Sequence, residues 1–124
     1  MAELSIDTST RYASVGLSVG GESVAELAWR SDRNHSVELV PAVRHVMSRR
    51  GVEMADLDAI FVARGPGGFS ALRVGISTAK AMADALNAAL VSVPTLDIEA
   101  HPYLGLGCRV CTVMPAGRER VYFA

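Results

Sequence analysis

The stretch of this sequence best suited to chemistry is Gly65-Pro66-Gly67-Gly68, which leaves an apolar run and enters a helical pattern. Free backbone amides and the positive end of a helix dipole converge at such a junction, so it suits an anion. A tight structural turn into the helix is the alternative. No Gly-Lys-Ser/Thr follows at Walker spacing. The dinucleotide fingerprint is only approached, through Gly65 and Gly67, with Ser70 where a third glycine or alanine belongs; a nucleotide-cofactor module would use Gly65, Gly67 and Asp97. Asp7, with Thr8 and Ser9, closes the first strand, either as a strand-to-turn boundary or as a metal or phosphate contact. Cys108-Arg109-Val110-Cys111 has redox or metal spacing, but on a strand the two thiols would point to opposite faces, which favours burial of both as structural residues. His35, His45 and His101 show no zinc-binding spacing, and no nucleophile elbow is present, so no metal and no cofactor is expected. Arg44, His45, Arg49 and Arg50 read as a solvated helix face.

The elements that must position these residues begin with a strand at Leu4 to Asp7 and a cleanly alternating one from Tyr12 to Val19. Gly20-Gly21 supplies a hairpin turn, and Ala25, Leu27 and Trp29 carry the apolar face onward, completing an antiparallel meander. Helical spacing of Leu39, Val40, Val43, Val46 and Met47 places a helix over Ser36 to Arg50, bent in its first turn or starting at Pro41 and ended by Gly51. Asp58 to Ala63 reads as a central strand covered on both faces. A second helix, capped by Ser70, presents Leu72, Ile76, Ala79, Met82, Ala83 and Leu86. Gly75, Ala79 and Ala83 form a stripe of small residues that packs on its own sheet or admits a partner helix. A strand at Leu90 to Val93, a short helix opened by Pro94-Thr95-Leu96-Asp97 and limited by Pro102, and strands at Cys108 to Met114 and Val121 to Ala124 complete the pattern.

The composition, 50% apolar and 20% charged, is that of a soluble globular domain, and 124 residues suit one domain rather than two. A net charge of -1 gives no overall reason to hold nucleic acid. The start lacks a secretory pattern and no apolar run approaches the ~20 residues of a membrane span, so a cytoplasmic location is expected. The terminal apolar run Val121-Tyr122-Phe123-Ala124 suggests a fragment or truncated product.

Five ordered segments are similar to the signature of the TsaB family: Ile6-Asp7-Thr8-Ser9-Thr10; Ala13-Ser14-Val15; His35-Ser36 with Leu39-Val40-Pro41; Gly65 through Gly75; and Val93-Pro94-Thr95-Leu96-Asp97. The resemblance implies an α/β, ribonuclease-H-like (actin-like ATPase) fold: a mixed sheet of three antiparallel strands, then alternating helices and strands. Residues 1–124 would be its single amino-terminal lobe, without the family's second lobe. It further implies a non-catalytic scaffold in the machinery that attaches threonylcarbamoyl to a tRNA adenosine. The expected partners are the catalytic subunit TsaD, with TsaE in a ternary assembly, or a second copy in a homodimer; tRNA is met only indirectly. The family's partner-binding helices map onto Leu39, Val43 and Met47, and onto Leu72, Gly75, Ile76, Ala79, Met82 and Ala83. Asp7, Thr8, Ser9, Gly65, Pro66, Gly67 and Gly68 map onto a phosphate loop that could serve a kinase or carbamoyl-transfer enzyme of the same fold. Departures are equally specific. No two histidines are four apart, so the older glycoprotease label lacks its metal pair. Gly68, Ser70 and Ala71 replace the family's loop residues, and Pro115 replaces an acid in Met114 to Arg118.

Overall fold

The computed structural model describes residues 1–124. Strands β1 (Ala2–Asp7), β2 (Tyr12–Val19) and β3 (Glu22–Arg30) form the meander, followed by helix α1 (His35–Arg49), strand β4 (Leu57–Ala63), helix α2 (Phe69–Leu86) and strand β5 (Ala89–Val93). The five-stranded sheet has the order β3-β2-β1-β4-β5, with β1, β4 and β5 mutually parallel. Beyond it lie helix α3 (Thr95–Ala100), a 3-10 segment (His101–Leu106), and strands β6 (Val113–Gly117) and β7 (Arg120–Phe123), which pair as a separate hairpin. Both Gly20 and Gly21 have positive φ, as the turn between β2 and β3 demands.

The core is one-sided. Ala2, Leu4 and Ile6 of β1, Val15 and Leu17 of β2, and Ile60 and Val62 of β4 project from one face onto Leu39, Val43, Val46 and Met47 of α1 and Ala79 and Ala83 of α2. The opposite face carries Ser5, Ser14, Gly16 and Phe61 and is only partly covered. The expectation that β4 is enclosed on both faces is therefore corrected, because period-two alternation leaves Phe61 half-buried beneath α3 and the 3-10 segment.

Several boundaries also change. Helix α1 starts at His35 and runs through Pro41, whose exposed position lets water bond the Val37 carbonyl that loses its donor. Val40 leaves the core stripe and is 40% exposed. Gly68, not Ser70, occupies the N-cap of α2, in extended conformation and without a side-chain cap. The expected strand at Cys108 begins only at Val113, and both cysteines are exposed, so neither their burial nor an opposite-face argument survives. The hairpin turns on Arg118 and Glu119, both at positive φ, a pair without the glycine or asparagine that marks such turns in sequence.

Leu4 is fully enclosed between α1, α2 and its strand neighbours, so Leu4→Ala is expected to lose about 2–5 kcal/mol of stability in urea denaturation. A change within about 0.5 kcal/mol would show that this core collapses onto the gap.

Candidate functional site

The end of β1 and the start of α2 are bolted together through the backbone. The Thr8 hydroxyl donates to the Ala71 carbonyl in the first turn of α2 at 2.6 Å, and the Gly68 N–H donates to the Ser9 carbonyl at 3.2 Å. Asp7 braces the same turn from within, its Oδ1 accepting from the Ser9 N–H at 2.9 Å and from the Ser9 hydroxyl at 2.5 Å. Two glycines make the approach feasible. A Cβ at Gly67 would run into the Ser9 backbone, and one at Gly75 would strike the Thr8 hydroxyl. Gly65 adopts φ +109, and its carbonyl accepts from the Thr95 N–H at 2.9 Å, tying the end of β5 to the same loop. The Thr95 hydroxyl is enclosed there without a protein partner.

The residues expected to form a phosphate loop are thus neighbours, yet their exposed surfaces are divided. Ser9, Gly67 and Gly68 line an open cavity of about 1250 Å³ beside the N-termini of α1 and α2. Asp7 lines another, of about 820 Å³, on the less covered face of the sheet with Asp97 and His101. Thr8 is buried between the two. Gly65 and Pro66 border neither. Nowhere do three histidine, cysteine, aspartate or glutamate side chains gather closely enough to hold a metal ion.

The expected partner-binding residues are placed differently. Leu39, Val43, Met47, Gly75, Ala79 and Ala83 are buried within the lobe, and Leu72, Ile76 and Met82 are half-buried, the latter two against the core. The apolar and small-residue stripes close the lobe's own core, where Ala79 is 0% exposed. The outward faces are carried instead by Val37, Val40 and Pro41 on α1 and by Ser77, Ala81 and Ala85 on α2. Sequence reading missed Arg11, Arg30 and Arg33, which converge on the larger cavity. Arg11 is distant along the chain from the neighbouring Arg30 and Arg33, and no motif links them, so only the meander's folding brings it beside the other two.

The order of strands and the helices on one face define a ribonuclease-H-like lobe, and comparison with known proteins agrees. The Thermus thermophilus RuvC structure superposes with a TM-score of 0.53 over 81% of this chain and 68% of its own, at 11% identity, a likeness of fold alone. Residues 25–124 match the family model described as TsaD: tRNA N6-adenosine threonylcarbamoyltransferase. The Bacillus subtilis tRNA threonylcarbamoyladenosine biosynthesis protein TsaB is 32% identical across 98% of this chain and 53% of its own length. A tRNA N6-adenosine threonylcarbamoyltransferase of Anaeromyxobacter sp. is 40% identical over 84% of this chain and 32% of itself. YeaZ from Pseudomonas aeruginosa superposes with a TM-score of 0.90 at 32% identity, over 98% of this chain and 58% of that one. The chain belongs to the TsaB (YeaZ) family, related to TsaD, and spans about half the length of the TsaB relatives it matches. No helix is long and apolar enough to cross a membrane.

The junction makes a sharp contrast between adjacent glycines. Gly67→Ala should cost roughly 1–3 kcal/mol by forcing the loop off Ser9. Gly68→Ala, with open space and φ -62, should stay within about 0.5 kcal/mol of the parent. Urea midpoints of the two variants check this, and equal losses would mean that the close approach is not what sets the cost.

Proposed function

We propose that this chain serves tRNA threonylcarbamoyladenosine biosynthesis as a non-catalytic, partner-binding lobe. The observation that carries the reading is the match to proteins named TsaB over nearly the whole chain, with the YeaZ backbone reproduced closely. The junction's chemistry supports a structural rather than a reactive role. Oδ1 of Asp7 is engaged by Ser9, and Gly67 lies close against the Ser9 backbone. A lobe braced in this way retains the architecture of an enzyme while using it to hold two helices in register.

The partner is the catalytic subunit, TsaD in the relatives' naming, or a second copy of this chain, and TsaE would join the assembly. The surface is the outward side of α1 and α2. Val37, 72% exposed, precedes Val40 by three residues and Pro41 by four, so the three share one helical face. On α2, Ala81 and Ala85 are exposed at i and i+4, and their small side chains let a partner helix approach closely. On this reading the functional contribution comes from the side of each helix opposite its core stripe.

The experiment is co-elution with the threonylcarbamoyltransferase of the same genome, followed by light scattering. Val37→Glu with Ala81→Glu is expected to abolish the complex while leaving the melting midpoint of the free chain nearly unchanged, because both sites are exposed. An undiminished complex in this variant removes the assigned surface. The rival reading, a nucleotide-dependent enzyme built on Asp7 and the glycine loop, predicts that millimolar ATP and magnesium raise the melting midpoint. The non-catalytic reading expects no rise, and a shift of several degrees that Asp7→Ala removes would overturn it.

A further inference from the structure

We propose that the free edge of β3 is a self-association surface, on which a second copy of this chain adds its own β3 antiparallel about a two-fold axis at Ala28. β3 closes one side of the sheet, with β2 as its only neighbour. The β2–β3 ladder fixes which backbone groups face outward. The Ser31 N–H donates to the Arg11 carbonyl at 2.7 Å, one step beyond the pairing of Tyr12 with Arg30. Bonded and non-bonded pairs alternate along an antiparallel ladder, so Trp29, Leu27 and Ala25 turn their N–H and carbonyl groups toward β2. Arg30, Ala28 and Glu26 turn theirs away from it, as a row of unpaired donors and acceptors. The same three residues have exposed side chains, while Ala25, Leu27 and Trp29 pack on the core face.

Charge and register select a copy of the same chain as the occupant. An edge guarded by one sign of charge would repel its own copy, whereas this one carries Glu26 and Arg30 on one face, on either side of Ala28. Antiparallel pairing of Ala28 with Ala28 sets Glu26 of each copy directly opposite Arg30 of the other, in both halves of the interface. Arg30 is available for this, because its ion pair with Asp32 is 3.5 Å long and more than half of each side chain is in water. The ladder itself limits the alternatives. Its register shifts between Leu17 and Ser18, so Val24 has no opposite residue and the regular edge runs from Ala25 to Arg30. Pairings centred on Leu27 or Glu26 would draw in Val24, and the second would set Glu26 against itself. Those centred on Trp29 or Arg30 would set Glu26 against Asp32, or Arg30 against itself. The pairing at Ala28 alone uses only the regular edge and joins unlike charges.

This edge involves none of the outward residues of α1 and α2, so the inference does not rest on the partner assigned to those faces. The test is sedimentation equilibrium of the full chain at low salt, from about micromolar to about millimolar concentration. A reversible, concentration-dependent dimer is expected. Glu26→Arg, which turns both ion pairs into like-charge contacts, should raise its Kd roughly tenfold, and Glu26→Arg with Arg30→Glu should restore it. Both sites are exposed, so the melting midpoints of these variants should match the parent's. Bonded antiparallel pairs hold their Cα atoms about 5.5 Å apart, within disulfide reach. Ala28→Cys, in a background of Cys108→Ser and Cys111→Ser, should therefore give a covalent dimer on mild oxidation. That cross-link keeps the register testable if a charge variant misfolds. Val37→Glu with Ala81→Glu should leave the dimer intact. The proposal is overturned if the chain stays monomeric throughout the series, if folded Glu26→Arg dimerises like the parent, or if the folded charge-swapped variant does not recover. It is also overturned if Ala28→Cys forms no cross-link, or if Val37→Glu with Ala81→Glu abolishes the dimer, which would assign self-association to the helices.

Discussion

The close approach of the β1–β2 turn to the start of α2 is the contact on which the rest of the lobe depends. Thr8 reaches the first turn of α2, Ser9 accepts from Gly68, Gly67 lies against the Ser9 backbone, and Gly75 leaves room for the Thr8 side chain. Because β1 lies at the centre of the sheet and α2 covers it, this contact sets how α2 lies across β1 and β4. The position of α2 in turn determines which of its residues meet α1. A displacement here would therefore be felt along the core rather than at the loop alone, since close-packed interiors transmit strain.

That constraint also decides how the lobe divides its surfaces. With both long helices on one face of the sheet, the residues at core spacing are taken up by folding, which leaves the outward sides of the same helices exposed. At one end of the helices, the turns that lead into them gather arginines around an open cleft. On the other sheet face, Asp7 and Asp97 border a smaller cavity beneath α3 and the 3-10 segment. One arrangement of strands thus produces three chemically different surfaces: an apolar helical one, a cationic one and a mixed acidic one.

The glycine loop illustrates why a motif read in isolation misleads. Strand, glycines and helix occur in the order an anion site requires, and free amides do remain at Phe69 to Ala71. Yet Gly67 and Gly75 are accounted for by the proximity of Ser9 and Thr8, residues distant in sequence whose approach has no local signal. The β6–β7 hairpin was obscure for another reason. Its left-handed pair is Arg118-Glu119, which turn statistics disfavour, so the strand reading drifted to the more apolar Cys108 to Met114.

Alternation along β1 and β2, the glycine pair between β2 and β3, and the helical spacing within α1 and α2 are local properties, and from them the sequence alone determined the order of the main elements and the residues of the core. Its ordered motifs also determined the family. Whether the small-residue stripe of α2 faced inward or outward, whether Asp7 and the glycine loop shared one site, and where Arg11, Arg30 and Arg33 came to lie were decided only in the tertiary structure. Periodicity identifies which residues share a face, but what that face meets depends on strand order and on contacts between segments distant in the chain.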